Sequence, residues 1–195
     1  MKSPFRYILF FKPYGVLSQF SPKDAHPTLA DFQFPKNVYS VGRLDADSEG
    51  LLILTDDGPF QHRLIDPMFG HARIYHVQIE NVPAEGALEK LRRGVVIEGE
   101  RTKPAKVAHL EPGPSWPERS KPIRTRKNIP TCWLEIAIAE GRNRQVRKMT
   151  ASVGHPALRL IRTRILGLGL DGLSEGEWRY LSMAEVSQIK SEIGL

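Results

Sequence analysis

The chain has 195 residues, of which 41% are apolar and 26% charged, and its net charge is +6 at pH 7. This composition is ordinary for a soluble globular protein, and the length predicts one domain or two small subdomains. No run approaches the ~20 apolar residues of a membrane-spanning helix, and the N-terminal residues lack a signal-peptide cleavage site. Because Cys132 is the only cysteine, no intramolecular disulfide forms, and we expect a cytosolic protein. The six histidines are scattered without ligand spacing, so we expect no metal site.

The first third of the chain alternates strand and turn patterns. Apolar runs predict strands at residues 5–11, 38–44 and 51–55. The third strand stops at the turn Asp56-Asp57-Gly58, and the next residue is a proline, which favours the first position of a helix. We therefore predict a short helix through Leu64.

The remainder of the chain mixes strands with helices. Six further strands are predicted at residues 73–80, 95–98, 106–110, 131–139, 155–164 and 178–181. Helices are predicted at residues 83–93, ended by Gly94, and at 143–153, and a capping box at Ser182 starts the last helix. This mixture indicates the α+β class. We expect one domain made of two α+β subdomains, about 1–66 and 67–195.

Basic residues concentrate in one part of the chain. Between Arg119 and Arg164 there are twelve Lys or Arg and two acids, a local charge of +10 that leaves −4 for the rest. A one-sided basic surface is the footprint of a polyanion partner. Because these residues lie on predicted strands and loops as well as on one helix, nucleic acid is favoured over a membrane surface.

Residues 41–58 read Val-Gly-Arg-Leu-Asp-Ala-Asp-Ser-Glu-Gly-Leu-Leu-Ile-Leu-Thr-Asp-Asp-Gly. This stretch presents Asp45 next to Arg43 in an acidic loop at a strand end, where a rigid sheet holds a carboxylate still. An Asp after a strand is also a frequent turn former. The acidic spacing matches an EF-hand calcium loop superficially, although the flanks predict strands where that motif needs helices. A turn residue and a calcium ligand are therefore alternatives to a catalytic role for Asp45.

A second stretch, residues 141–149, reads Gly-Arg-Asn-Arg-Gln-Val-Arg-Lys-Met. On a helical wheel Val146 and Met149 belong to the apolar stripe, and Arg147 lies at the border between core and solvent. A border arginine buries its stem and reaches a carboxylate with two hydrogen bonds. The alternative is a basic helix start with solvated arginines.

Both stretches resemble motifs of the pseudouridine synthases, and more closely the RsuA branch, which modifies ribosomal RNA. In that family the Asp of Gly-Arg-Leu-Asp is the catalytic residue, so the resemblance implies that role for Asp45. The Arg after Gln-Val pairs with the catalytic Asp, which implies Arg147. Arg73-Ile74-Tyr75-His76-Val77 resembles the family's Lys-x-Tyr-x-Val element, whose Tyr packs on the target uracil. Periodicity alone makes Tyr75 a core residue, so its catalytic role comes from the resemblance.

Two further matches complete the resemblance, which runs from Tyr7 to about Leu181. Lys12-Pro13 matches the family's first motif, which shapes the sheet edge under the site, and residues 158–162 resemble a Leu-x-Arg segment. The expected RNA contacts are Arg43, Arg124, Arg126, Lys127, Arg142, Arg144, Lys148 and Arg162.

The resemblance implies the pseudouridine synthase fold, a mixed and mostly antiparallel sheet with flanking helices and a central RNA-binding cleft. It also implies a reaction: the N1–C1′ bond of a flipped-out uridine breaks, and a C5–C1′ bond forms. The product is an isomer, so we expect no cofactor. Asp45 acts either as a nucleophile or as a base, and both roles remain open.

Many relatives carry an S4-type RNA-binding module ahead of the Lys-Pro motif. Only eleven residues precede Lys12, so we expect no such module and the closest resemblance to compact members that act on large-subunit ribosomal RNA. Residues 111–130 hold five prolines and little periodicity, and we expect this long exposed loop to contribute specificity. We expect a monomer. The rival hypothesis is a non-catalytic RNA-binding or ribosome-assembly protein of the same fold.

Overall fold

The structure is a computed structural model that describes residues 5–123, 126 and 128–195. Two of the expected RNA contacts, Arg124 and Lys127, lie outside the described residues. No helix in the part of the chain that the structure describes is long and apolar enough to cross a membrane.

The described residues form eleven strands and four α-helices. The strands are β1 (Tyr7–Lys12), β2 (Tyr39–Ser40), β3 (Glu49–Thr55), β4 (Arg73–Glu80), β5 (Val96–Ile97), β6 (Glu100–Arg101), β7 (Lys106–His109), β8 (Thr131–Ile138), β9 (Ala157–Ile165), β10 (Leu168–Gly169) and β11 (Trp178–Tyr180). The helices are α1 (Gly58–Ile65), α2 (Glu85–Arg93), α3 (Gln145–Ser152) and α4 (Met183–Glu192). Two 3₁₀ helices cover Leu29–Phe32 and Pro67–Phe69. The predicted α+β class is confirmed.

The chain divides into two compact units. Unit 1 comprises Met1–His71 and Thr163–Leu195, and unit 2 comprises Ala72–Arg162. This division differs from the predicted subdomains, because the C-terminal segment belongs with the N-terminal one. The physical reason is the pairing of β11 with β1, in which Phe10 lies opposite Trp178.

Unit 1 is built on the strand order β11-β1-β3, with β2 also pairing with β3, and these pairs are antiparallel. Every residue of β1 and β3 is buried, which explains why both segments are almost continuously apolar. Phe10 is the centre of an aromatic cluster, with ring centroids 4.8 Å from Phe32 and 5.0 Å from Phe34. This core makes the edge of β1 and β3 a rigid support for the loops that leave it.

Unit 2 is built on β4, β8 and β7, paired antiparallel in that order. The β4–β8 register runs from Arg73 opposite Ile138 to Glu80 opposite Thr131. Burial alternates along both strands, so one face of the sheet is core and the other is half-exposed. α2 buries Leu88 and Leu91, and α3 buries Val146 and Met149.

The ion pair between Arg179 and Glu185 gives a pH-dependent prediction about stability. Two hydrogen bonds of 2.9 and 2.7 Å from the Arg179 guanidinium lower the pKa of Glu185 from 4.5 to about 2. Because the folded pKa lies below the unfolded one, the stabilisation is complete above pH 4.5 and is lost as the pH falls towards 2. The Arg179 side chain is 38% exposed, so solvent screens the pair.

We expect Glu185→Gln to lower the free energy of unfolding by about 1 kcal/mol at pH 7, and the difference from the wild type to vanish near pH 2. Urea denaturation at several pH values measures it. Glu192→Gln on the same helix is the control, since Glu192 accepts from Gln188 and is exposed. A difference that persists at the lowest pH would contradict the assignment to ionised Glu185.

Candidate functional site

The backbone on both sides of Asp45 is held by hydrogen bonds within unit 1. Leu44 donates its N–H to Ser18 Oγ at 3.1 Å, and Ser18 Oγ donates back to the Leu44 carbonyl at 2.8 Å. Gly15 N–H donates to the Ala46 carbonyl at 2.7 Å. Asp45 itself is half-buried. The loop therefore holds its carboxylate on a pre-organised backbone, as a catalytic or binding residue requires.

The strands around this loop exclude an EF-hand. β2, not a helix, comes before it, and β3 begins at Glu49, inside the segment that a calcium loop would need. In the part of the chain that the structure describes, no three His, Cys, Asp or Glu residues are grouped to hold a metal ion.

Lys12 supports the loop that contains Asp45 through a neighbouring turn. Its side chain is fully buried, at 0% exposure, and Nζ donates to the carbonyls of Pro13 at 2.9 Å and Val16 at 2.7 Å. These bonds shape the turn that contains Gly15, whose φ of +85° suits glycine. Because Gly15 donates to Ala46, Lys12 acts on the backbone next to Asp45 through this turn. Periodicity could not reveal this role, and only the Lys-Pro match pointed to it.

Replacing Lys12 by Met would remove the donor to two carbonyls at this turn. We expect the free energy of unfolding to fall by about 2–3 kcal/mol. If Asp45 has the catalytic role that the sequence resemblance implies, the reaction rate also falls by about 10²-fold, because the loop is no longer held in place. Lys36→Met, at an exposed position of the same unit, is the control. A loss of stability with an unchanged rate would show that Lys12 serves the fold alone.

In unit 2 the structure brings together Tyr75 and Arg162. Tyr75 is 8% exposed and lies on the core face of β4 with Val77 and Ile79. Arg162 is 4% exposed and hydrogen-bonds to the Tyr75 side chain. Burial lowers the pKa of Arg162, and the positive charge of Arg73 acts in the same direction, while Tyr75 opposes the shift. Tyr75 is therefore a core residue, as the periodicity predicts, and it also makes a polar contact with Arg162.

This burial changes the expectation for Arg162. The sequence placed it among the RNA contacts of a basic surface, but its side chain lies in the interior beside Tyr75. A phosphate bound on the exposed surface of unit 2 does not contact a side chain that is buried in this way. An RNA contact for Arg162 stays a prediction, and it requires a nucleotide that enters the Tyr75 region.

Arg147 lies on α3 at the border that the helical wheel predicted. Val146 and Met149 are buried, at 3% and 0% exposure, and Arg147 is half-buried. Its Nη1 donates to the carbonyl of Ala157, the first residue of β9, at 3.2 Å. The helix is therefore joined to the strand that carries Arg162.

A buried carboxylate organises the loop before α3. Glu140 is 7% exposed and accepts hydrogen bonds from Lys103 N–H at 2.9 Å and from Gln145 Nε2 at 2.6 Å. Gln145 Oε1 in turn accepts from Arg142 N–H at 3.0 Å. This network sets the start of α3 and hence the placement of Arg147. Sequence reasoning missed it, because Lys103 is remote in the chain and Glu140 reads as a turn residue.

Three expected RNA contacts pair with acids of their own unit. The nitrogen–oxygen distances are 3.5 Å for Arg126–Glu80, 3.2 Å for Arg142–Glu100 and 2.7 Å for Lys148–Glu98. These acids lie outside residues 119–164, so the local charge of +10 overstates the positive surface. Arg43 and Arg144 are exposed.

The predicted catalytic residues are divided between the units. Asp45 belongs to unit 1, whereas Tyr75, Arg147 and Arg162 belong to unit 2. The pairing of Asp45 with Arg147 stays a prediction.

Comparison with known proteins gives matches along most of the chain. Residues 6–152 match the family described as RNA pseudouridylate synthase. A protein of Xanthomonas campestris pv. campestris named ribosomal large subunit pseudouridine synthase E is 53% identical over 88% of this chain and 93% of its own length. A Vibrio vulnificus protein of the same name is 49% identical over 91% of this chain and 76% of its own length.

Among solved structures, a crystal structure of a pseudouridylate synthase aligns with a TM-score of 0.77. It is 29% identical and covers 96% of this chain and 75% of the matched chain. The pseudouridine synthase fold that the two motifs implied is therefore confirmed.

Proposed function

Because this chain belongs to the RNA pseudouridylate synthase family, we propose that it isomerises a uridine of large-subunit ribosomal RNA to pseudouridine. The observation that carries the choice of RNA is the 53% identity, over 88% of the chain, to a relative named for the large ribosomal subunit. The chain is an RNA pseudouridine synthase, and the target uridine belongs to the proposal.

The proposed reaction balances without a co-reactant. The N1–C1′ bond of the uridine breaks, the uracil turns, and a C5–C1′ bond forms. The proton that leaves C5 is matched by one gained at N1, so the product has the same atoms as the substrate. The protein then has to hold the base, act at the ribose and move protons.

We assign the action at the ribose to Asp45. Bond breaking puts positive character on C1′, and a carboxylate there acts as a nucleophile or by electrostatic stabilisation. Action as a base on the ribose is the alternative. The hydrogen bonds that hold Leu44 and Ala46 support this assignment, because a fixed carboxylate needs little reorganisation in the transition state.

We assign the handling of the base to Tyr75. The uridine has to be flipped out of the RNA at a cost of a few kcal/mol and then held by stacking and polar contacts. Tyr75 offers a ring, and Arg162 offers a guanidinium hydrogen-bonded to it. Arg147 is assigned as the ion-pair partner of Asp45, since a carboxylate in a closed pocket is costly unless paired.

Exposed Arg43 and Arg144 are the best remaining candidates for RNA phosphate contacts, which would make affinity depend on salt. The monomeric state, the cytosolic location and the independence from metal stay predictions.

The test is tritium release from C5-tritiated large-subunit ribosomal RNA by the wild-type protein, with EDTA present and no nucleotide added. We expect release and a single modified uridine, with small-subunit RNA as the control substrate. Salt-dependent binding without release from either RNA would favour the non-catalytic RNA-binding hypothesis. Release from small-subunit RNA alone would overturn the choice of substrate.

A further inference from the structure

A buried serine close to Asp45 has a hydroxyl that the fold does not use. Ser48 is 1% exposed, and its Oγ makes no hydrogen bond to any residue that the structure describes. Burial of a hydroxyl without a partner costs free energy, because its hydrogen bonds to water are lost. Buried polar groups in folded proteins are nearly always hydrogen-bonded, so this exception points to a role outside the fold itself.

Another buried hydroxyl of unit 1 shows the usual arrangement. Thr55, at the far end of β3, is also 1% exposed. Its Oγ1 donates to the Arg6 carbonyl at 2.6 Å and accepts from the Asp57 N–H at 3.1 Å. The Thr55 hydroxyl therefore acts as donor and acceptor within the fold, whereas the Ser48 hydroxyl does neither.

Ser48 is the fourth residue of a turn whose first residue is Asp45. The Ser48 N–H donates to the Asp45 carbonyl at 3.0 Å, which is the hydrogen bond of a β-turn. Such a turn brings the Cα atoms of its first and fourth residues within about 7 Å of each other. Because β3 begins at the next residue, Glu49, and is buried throughout, the backbone of Ser48 is held. A rotation of its side chain is then enough to bring the hydroxyl to the Asp45 carboxylate.

The charged groups near this turn come from the loop itself and from β1. Asp47 and Glu49 follow Asp45 in the chain, and Arg43 precedes it at an exposed position. Lys12 of β1 directs its ammonium at backbone carbonyls. An ionised carboxylate has about four acceptor sites, so a hydroxyl donor adds to a charged partner without displacing it.

We propose that Ser48 is a positioning residue, and that its hydroxyl donates to the Asp45 carboxylate once the target nucleotide covers the site. The inference rests on the proposed function, in which Asp45 acts at the ribose. In the free protein Asp45 is half-buried, so its carboxylate is accessible to water. A bound nucleotide excludes that water, and a carboxylate in a closed site needs donors from the protein. Ser48 supplies a donor that the fold leaves free.

The experiment compares the loss of the two buried hydroxyls, in Ser48→Ala and in Thr55→Val. Thr55→Val is the matched control, because its hydroxyl is equally buried but is hydrogen-bonded within the fold. For each variant we measure the free energy of unfolding in urea and the dissociation constant of a large-subunit ribosomal RNA fragment. The single-turnover rate at saturating protein is measured as a function of pH.

For Ser48→Ala we expect a rate about tenfold below the wild type at neutral pH, with RNA affinity within about twofold. The acid limb of its pH–rate profile moves up by about one pH unit, because the lost donor favoured the ionised carboxylate. Its free energy of unfolding equals or exceeds that of the wild type, because the free protein makes no bond to this hydroxyl. Thr55→Val shows the reverse pattern, with lower stability and an unchanged rate and acid limb.

The inference is overturned if Ser48→Ala keeps the wild-type rate and loses stability as Thr55→Val does, since the hydroxyl then serves the fold. A lower rate with an unmoved acid limb also overturns it, because Ser48 would then act independently of Asp45. A wild-type protein that forms no pseudouridine contradicts the proposed function instead. The stability comparison needs no activity, and an equal loss in both variants would overturn the role of Ser48 in that case too.

Discussion

Asp45→Asn lowers the rate of pseudouridine formation by at least about 10⁴-fold while RNA affinity stays close to that of the wild type. Asparagine has the shape of aspartate but lacks the charge and the nucleophilic oxygen, so it fails both as a nucleophile and as a base. The loop backbone is held by Ser18 and Gly15, and the substitution leaves those bonds in place. Tritium release in single turnover, with parallel RNA binding, measures the two effects separately.

The matched control for this substitution is Asp47→Asn, two residues along the same loop and equally half-buried. We expect it to retain the wild-type rate within a few-fold. An Asp45→Asn protein with the rate of the wild type would return Asp45 to the role of a turn residue. Equal losses in both variants would show that the loop, and not one carboxylate, is what catalysis needs.

The second large effect is expected at Arg147. Arg147→Met lowers the rate by about 10²- to 10³-fold, because the methionine fills the space of the stem but leaves the carboxylate of Asp45 without its proposed partner. Arg144→Met, at the exposed residue just before the same helix, is the control and affects RNA affinity more than rate. Arg147→Met also loses the bond to the Ala157 carbonyl. Arg147→Lys keeps a positive charge and an N–H donor without the planar guanidinium, so it tests how much these two properties restore.

A double-mutant cycle on stability tests the proposed pair without using activity. The free energy of unfolding is measured for Asp45→Asn, Arg147→Met and the double variant. Residues in contact show coupling energies of about 0.5–3 kcal/mol, whereas distant residues add independently. Additive losses would contradict the pairing and leave Arg147 as a residue that positions α3.

Two kinds of strand were predictable from the sequence: strands that are buried along their whole length, and strands in which buried and partly exposed residues alternate. β1, β3, β4 and β8 lie within two residues of the predicted segments, because burial on one or both faces leaves a periodic trace in the chain itself. The segment 38–44 was predicted as a full strand, and only Tyr39–Ser40 pairs. Val38, Val41 and Leu44 are buried in loop conformation. The local sequence pattern does not distinguish a buried loop from a buried strand. β6 and β10 are two residues long and leave no periodicity to read.

The extent of the positive surface also could not be predicted from the sequence alone. The sequence has twelve cations between Arg119 and Arg164. Folding buries two of them, Arg159 and Arg162. It also pairs three others with Glu80, Glu98 and Glu100. Electrostatic neighbours are set by distance in space, and a window of sequence contains only some of them. The basic surface is thus smaller than the count suggested.

The sequence by itself determined the family, the candidate carboxylate and the candidate arginine. These depend on short runs, residues 41–58 and 141–149, in which chemistry and local geometry are carried by neighbouring residues. Only the tertiary structure decided that Lys12 serves the loop of Asp45, that Arg162 lies beside Tyr75 and that Trp116 docks on His76. Each of these contacts joins residues that hydrophobic packing within one unit brings together. A polar partner distant in the chain leaves no periodic signal in either segment.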